Sequence, residues 1–250
     1  MPTILITGCS SGFGLETARH FLAEGWNVIA TMRTPKADIL PASERLTILP
    51  LDVTDAASIA SAVAAAGEID VLLNNAGIGW LNAVEGTPIN VVRDIFETNT
   101  FGTIAMIQAV LPQFRTRRAG VIINVTSSVT LKNYDLLSVY TASKAAVNAL
   151  TEVMALELAP FGIRAHVVLP GQAPGTAFGA NARERLTQAG GFPVPYAEMV
   201  QAVFARLASG SEDELTRAED VAAAIWRVVT DPTAPMRVPA GADAVALFKG

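Results

Sequence analysis

Thr3-Ile4-Leu5-Ile6-Thr7-Gly8-Cys9-Ser10-Ser11-Gly12-Phe13-Gly14 stands near the start of the chain, and the order of its residue types decides the architecture. Its first five residues are short and mostly apolar, with several β-branched side chains, as in a strand buried on both faces of a parallel sheet. Glycines follow at once, and beyond them Leu15, Ala18, Phe21 and Leu22 recur at helical spacing. Strand, glycine turn and helix in that order bring the unpaired amides of a helix N-terminus to a place a pyrophosphate can reach. Gly8 permits the tight exit from the strand, and Gly12 and Gly14 carry no side chain into the approach. Ser10, Ser11 and Phe13 stand between them as further candidate ligand contacts. Glycines at the first, fifth and seventh positions of this turn differ from the commoner G-x-G-x-x-G spacing.

Outward from this unit the pattern repeats. Trp26 to Met32 reads as a second strand, ending where a dinucleotide fold meets the adenosine ribose. An acid there would accept from a 2′-hydroxyl; this chain has Met32 and then Arg33, which favours a 2′-phosphate and therefore NADP over NAD. Leu46 to Leu51 makes a third strand closing on Asp52 and Val53, and Asp52 can reach an adenine amino group or cap the helix expected over 55–66. Ile69 to Leu73 is a fourth buried strand, running into Asn74-Asn75-Ala76-Gly77. Further strands at Val121 to Val125 and Ile163 to Leu169 alternate with helices over 88–115, 138–160 and 217–230. The expected fold is α/β: one doubly wound Rossmann-type domain over 1–250, a parallel sheet of about seven strands with helices on both faces.

Composition fits a single domain with a sizeable core, since 51% of the 250 residues are hydrophobic and 16% charged. Net charge is −5 and no Lys/Arg run occurs, so a nucleic-acid surface is not expected. Cys9 is the only cysteine, which excludes an intrachain disulfide and a cysteine-built zinc site. No apolar stretch approaches the roughly 20 residues of a membrane span. The first apolar run lies too near Met1 to leave room for a signal segment, and a cytoplasmic location is the expectation.

The residues with chemistry to offer cluster later. Tyr140 and Lys144, four apart on a helix, share one face, so a phenol and an ammonium can serve one small volume. A fixed positive charge favours the phenolate of a tyrosine whose ordinary pKa is about 10. Tyr134 is a rival for the role, but Ser138 stands where its lysine would be needed.

Thr7-Gly8-x-x-x-Gly12-x-Gly14, Asn74-Asn75-Ala76-Gly77, Asn99, Ser127 and Tyr140-x-x-x-Lys144 together resemble the motif set of the short-chain dehydrogenases/reductases, in order and spacing over residues 3–171. The resemblance implies that Gly8, Ser10, Gly12 and Gly14 hold the pyrophosphate, with Ser11 and Phe13 in the same turn. It implies Asp52 and Val53 at the adenine, and Asn75, Ala76 and Gly77 on the adenosine ribose side. Tyr140 would give or take the proton, Lys144 would bind the nicotinamide ribose and lower the Tyr140 pKa, and Asn99 would anchor a water linking Lys144 to solvent. The family's serine stands 13 residues before the tyrosine, which selects Ser127 with Ser128 as fallback, and Val129-Thr130 lacks a glycine that many relatives carry there. Pro170-Gly171 is similar to the family's turn under the nicotinamide, while His20 and His166 receive no function.

Residues 172–216 form a Gly/Pro-rich excursion with helical patterns at 181–189 and 196–208, expected as a lid over the substrate. Trp80, Phe178, Phe192 and Phe204 are candidate pocket walls for a small apolar alcohol or carbonyl substrate. Arg237 to Ala244 departs from the Leu-x-Val-Asp-Gly-Gly ending of many tetrameric members and resembles the estradiol and retinol dehydrogenase branch. A homodimer or homotetramer built on the helices of 88–115 and 138–160 is expected. The implied function is NADP-dependent interconversion of an alcohol with a ketone or aldehyde. The alternatives are reduction of acyl-thioester carbonyls, for which Lys132, Arg183 and Arg185 make a sparse docking surface, and a non-catalytic NADP-binding regulator. No metal is expected.

Overall fold

A computed structural model describes residues 1–208 and 215–249. Strands β1 (Thr3–Ile6), β2 (Asn27–Met32), β3 (Leu46–Pro50), β4 (Val71–Asn74), β5 (Gly120–Val125), β6 (Ile163–Pro170) and β7 (Arg237–Ala240) form one sheet in the order β3-β2-β1-β4-β5-β6-β7. Every pairing is parallel. Alternation within the strands serves the two faces. Ile4 and Ile6 of β1 point into one core with Val71 and Leu73 of β4, whereas Leu5 joins Leu72 and Ile122 in the other. The first core is covered by α1 (Gly12–Ala23) and α8 (Ala218–Thr230), through Ala18, Phe21, Leu22, Val221, Ile225 and Val228. The second is covered by α2 (Ala56–Ala66), α4 (Gly102–Arg117) and α5 (Ser138–Leu158), through Ile59, Met106, Phe114 and Met154 among others. The doubly wound parallel sheet expected from the alternating pattern is therefore the fold.

The strand order reverses between β1 and β4, and a parallel sheet of this kind binds ligands at that switch, beyond the carboxyl ends of its strands. Gly8, following β1, and Asn75 to Gly77, following β4, lie at this switch.

Three readings of elements need correction. The helix expected over 88–115 is two helices, α3 (Ile89–Phe96) and α4, joined by a π turn at Glu97–Phe101. The extra residue has local partners: the Asn99 amide accepts from Ile78 N at 2.8 Å and donates to Ile78 O at 3.0 Å, while Thr100 Oγ1 donates to Ser143 O. These contacts hold residues 99–100 against α5 and the post-β4 loop, and the helix absorbs them as a bulge. In the excursion, α6 (Ala177–Gln188) begins four residues earlier than the pattern suggested, and α7 (Ala197–Ala208) follows it; residues 209–214 of the expected lid lie outside the described residues. The chain beyond β7 forms α9 (Ala242–Lys249), for which no helix was expected.

Candidate active site

The glycine turn is built as a cradle, though not every glycine serves the ligand side. Gly8 and Gly12 have φ of 78° and 58°, the left-handed region that a side chain disfavours. Gly14 instead makes room for the protein itself: a Cβ there would lie 2.5 Å from Gly8 O and from Asn75 Nδ2. Asn75 is committed to the same turn, donating from Nδ2 to Thr7 O at 2.9 Å and Gly8 O at 3.1 Å, while its backbone N and that of Ala76 donate to Thr7 Oγ1. Thr7 and Asn75 thus lock the exit of β1 to the exit of β4. Ser11, at the N-cap of α1, makes no side-chain capping bond, and Ser10 and Ser11 are exposed, so the first amides of α1 face outward. A phosphate-bearing group fits this donor set. Phe13 lies partly buried against the first core.

Farther along the sheet edge, Asp52 accepts from Thr54 N at 2.9 Å and Thr54 Oγ1 at 2.7 Å, and these bonds hold its carboxyl below the usual range, with a smaller contribution from the Arg33 charge. Asp55, not Asp52, caps α2, accepting from Ala57 N. Val53 packs against Gly102 in the second core. Arg33 is exposed at the end of β2, but Met32 is 3% exposed and belongs to the first core. Met32 shares that core with Cys9 and Phe13 of the glycine turn.

Ser127, Tyr140 and Lys144 converge at the end of β5. Ser127 closes the strand in extended conformation, its Oγ accepts from Val129 N, and its side chain lies beside the Tyr140 phenol. Ser128 begins the single 3-10 turn Ser128–Thr130 that fills the place where a glycine was missed. Thr130 Oγ1 fastens this turn by donating to Ser127 O at 2.8 Å, and it accepts from Asn148 Nδ2 of α5. Tyr140 and Lys144 are both buried. Burial pushes the Tyr140 phenol well above its ordinary value, and the Ser127 side chain beside it draws it partly back. The Lys144 ammonium donates to Val125 O at 3.1 Å. Burial brings Lys144 itself down to about 8.

Asn99 Nδ2 also donates to Ser143 Oγ at 3.1 Å, so its amide is spent on Ile78 and Ser143 rather than on Lys144. The two groups nevertheless border one point: a Cβ on Gly77 would lie 3.2 Å from both Asn99 Oδ1 and Lys144 Nζ. Behind them a buried ladder, Asn74 to Asn124 to Thr151, ties β4, β5 and α5 together; the sequence alone assigns no role to Asn124, Thr151, Thr130 or Ser143. Polar residues two apart at strand ends were the available signal.

The excursion lies across this edge. The Phe178 ring sits 5.7 Å from the Tyr140 ring and packs on Gly79, and Thr176 rests against Gly12. Phe192 meets Phe204 at 6.1 Å. Tyr196 donates to Glu85, Asn82 Nδ2 donates to Gly191 O, and Arg206 pairs with Asp135 at 3.6 Å. Trp80 is 2% exposed, donates to Thr87 Oγ1 and clusters with Tyr140 and with Leu186 of α6. Thr176, unassigned from sequence, is the excursion's contact with the glycine turn. A wide concavity of about 700 Å³ at the β7 edge, between Glu152, Arg237 and Phe248, contains none of these groups. Among the described residues no His/Cys/Asp/Glu cluster could hold a metal, and no helix is long and apolar enough to cross a membrane.

Comparison with known proteins places this geometry. Residues 2–187 match the short chain dehydrogenase family model. Human retinol dehydrogenase 8 is 38% identical over 180 residues, which are 68% of this chain and 58% of that protein, so the chain spans less than two thirds of this relative's length. A short-chain dehydrogenase from Streptomyces avermitilis superimposes with a TM-score of 0.84 at 32% identity, covering 100% of this chain and 92% of that one. A serine dehydrogenase complexed with NADP+ superimposes with a TM-score of 0.78 at 26% identity, covering 95% and 93%.

Proposed function

The chain belongs to the short-chain dehydrogenase family, and from that membership we propose that it is an NADP-dependent oxidoreductase interconverting an alcohol and a ketone or aldehyde. The observation that carries the reading is the convergence of the Ser127 side chain on a buried Tyr140 phenol, with the Lys144 ammonium one helical turn away at the sheet's ligand edge. The amides at the start of α1, the backbone from Asn75 to Gly77 and the turn Pro170-Gly171 would hold the cofactor, with Asp52 and Val53 at its adenine end. Arg33, exposed beside Asp52, supports a 2′-phosphate there, and a structural neighbour binds NADP+. The cofactor supplies hydride to the carbonyl carbon or takes it back.

In the reductive direction the Ser127 and Tyr140 hydroxyls both donate to the substrate carbonyl oxygen, polarising it. The Tyr140 phenol holds its proton at neutral pH and can donate it. Tyr140 passes this proton to the oxygen as negative charge develops there, and the Lys144 ammonium stabilises the phenolate left behind. Asn99 fixes Ile78 and Ser143 around Lys144 and borders the route by which a water relay would restore the proton. Phe178, Phe192 and Phe204 support an apolar substrate beneath residues 172–216 acting as a lid.

Self-association completes the proposal: Ala142, Ala145, Ala149, Val153 and Leu156 form an exposed apolar stripe along α5, with Phe101 exposed at the start of α4. A cytoplasmic location is proposed from the cysteine content and charge. The test is a panel of apolar ketones and aldehydes with NADPH and NADH, followed at the nicotinamide absorbance. Turnover that depends on NADPH and fails in Tyr140→Phe is expected; cofactor binding with no turnover on any of them would make the protein a regulator.

A further inference from the structure

Both ends of the excursion meet at one carboxylate. Asp243, in the first turn of α9, accepts from Gln172 N at 2.6 Å through Oδ2, and from Thr216 Oγ1 at 2.6 Å and Ala244 N at 2.9 Å through Oδ1. Thr216 Oγ1 accepts in turn from Gly171 N at 3.0 Å, and Thr216 N donates to Gln172 O. The amides leaving β6 are thereby gathered by Asp243, Gln172 directly and Gly171 through the Thr216 hydroxyl. Two glycines exist to admit this arrangement. A Cβ on Gly171 would fall 2.0 Å from Asp243 Oδ1, and one on Gly241, whose φ is 96°, would fall 1.9 Å from Thr216 Oγ1.

We propose that Asp243 is a positioning residue, which acts through Thr216 and the Gly171 and Gln172 amides to aim the chain that leaves β6 across the cofactor edge. Gln172 begins the segment that carries Thr176 to the glycine turn and Phe178 to Tyr140. The direction of its peptide therefore decides where both residues arrive. An amide at the end of an interior strand needs an acceptor, and an ionised carboxylate is the strongest and most directional one available to it. Because Thr216 closes the excursion that Gln172 opens, one side chain fixes both ends.

The cofactor arm of the test rests on the function proposed above; the exchange arm does not. Backbone amide exchange is measured without cofactor in wild type, Asp243→Ala, Asp243→Asn, Thr216→Val and Thr216→Ser, together with NADPH dissociation constants from fluorescence titration. The Gln172 amide is expected to exchange about tenfold or more faster in Asp243→Ala, while Val167 and Val168 inside β6 keep their protection. NADPH should bind about tenfold more weakly in Asp243→Ala and Thr216→Val. Thr216→Ser, which keeps the hydroxyl, should restore wild-type affinity, and Asp243→Asn, which keeps one acceptor, should fall between. Thr216→Val and Asp243→Asn decide the matter if Asp243→Ala does not fold. Gln172 exchange that rises no more than that of Val167, or dissociation constants within about twofold of wild type in both Thr216→Val and Asp243→Asn, overturns the proposal. A wild type that binds neither nucleotide overturns the proposed function, and the Gln172 exchange rates then decide the role of Asp243 alone.

Discussion

Lys144 destabilises the fold that holds it, and this opposition between stability and site chemistry marks it more clearly than its spacing from Tyr140 does. Its ammonium is buried against the Val125 carbonyl, and burial brings its pKa from 10.5 to about 8. Between those values the unfolded lysine holds a proton that the folded one has released, so stability rises with pH through that window and is lowest below about pH 8. Lys144→Met should therefore stabilise the apoprotein by about 3 kcal/mol at pH 7, with the gain vanishing near pH 10.5. Urea unfolding at pH 7 and pH 10 measures it; an equal gain at both pH values would show that the side chain's volume, not its charge, sets the effect. Tyr140→Phe removes only the proton that moves, and should lower turnover by about two to four decades while nucleotide affinity stays within a few-fold. Ser127→Ala should lower turnover more than Ser128→Ala, because the Ser127 side chain is the one that lies beside the phenol; the opposite ranking in steady-state rates would transfer the role to Ser128. The sequence placed these residues by local spacing, but it could not tell which way Met32 faces, since strand parity becomes fixed only once β2 is packed.

Elements were legible wherever one period ran without interruption. Six of the seven strands are short, largely apolar runs and α1, α5 and α8 carry helical spacing, so their positions follow from residues a few places apart, whereas β7, with Arg237 and Pro239 among its four residues, offers no such run. The π turn at Glu97–Phe101 was not legible, because its cause is the Asn99 amide reaching Ile78 and the Thr100 hydroxyl reaching Ser143, contacts that exist only after folding. The clasp at Asp243 escaped for the same reason, joining Gln172 to Asp243 across 71 positions. Helix α5 presents two faces with different tasks: Tyr140, Lys144 and Val147 turn inward, and the stripe from Ala142 to Leu156 turns outward with Leu156 77% exposed. An outward stripe of this kind is apolar and exposed among the described residues, and a second copy of the helix can cover it. Leu156→Glu together with Val153→Glu should reduce the assembly to a smaller species in sedimentation while far-UV circular dichroism stays unchanged. An unaltered sedimentation coefficient would remove α5 from the interface.

At the scale of the whole molecule, the ligand edge is where both halves of the sheet meet. The groups assigned to the cofactor come from the exits of β1, β2, β3 and β4 on one side and from β5, α5 and β6 on the other, while the cores on the two faces are sealed by different helices. A nucleotide bound along this edge contacts elements of both sides, so binding should raise the stability of the entire fold. At a nucleotide concentration about 100 times the dissociation constant the gain is about 2.7 kcal/mol, a rise in Tm of roughly 5–10 °C for a chain of this size. Choice between nucleotides then reduces to one side chain. With Met32 buried, Arg33 is the residue of that pair free to face a 2′-phosphate, by charge-assisted hydrogen bonds worth about one to two decades of affinity. Met32→Asp puts a carboxylate at a buried position, a cost to stability that Arg33→Ala avoids. Arg33→Ala is the informative variant: the NADPH-induced rise in Tm should fall to roughly 1–5 °C at the same concentration, and the NADH-induced rise should stay as it was. A wild type stabilised more by NADH, or a loss in Arg33→Ala that is equal for both nucleotides, would take the 2′-phosphate away from Arg33 and the NADP preference with it.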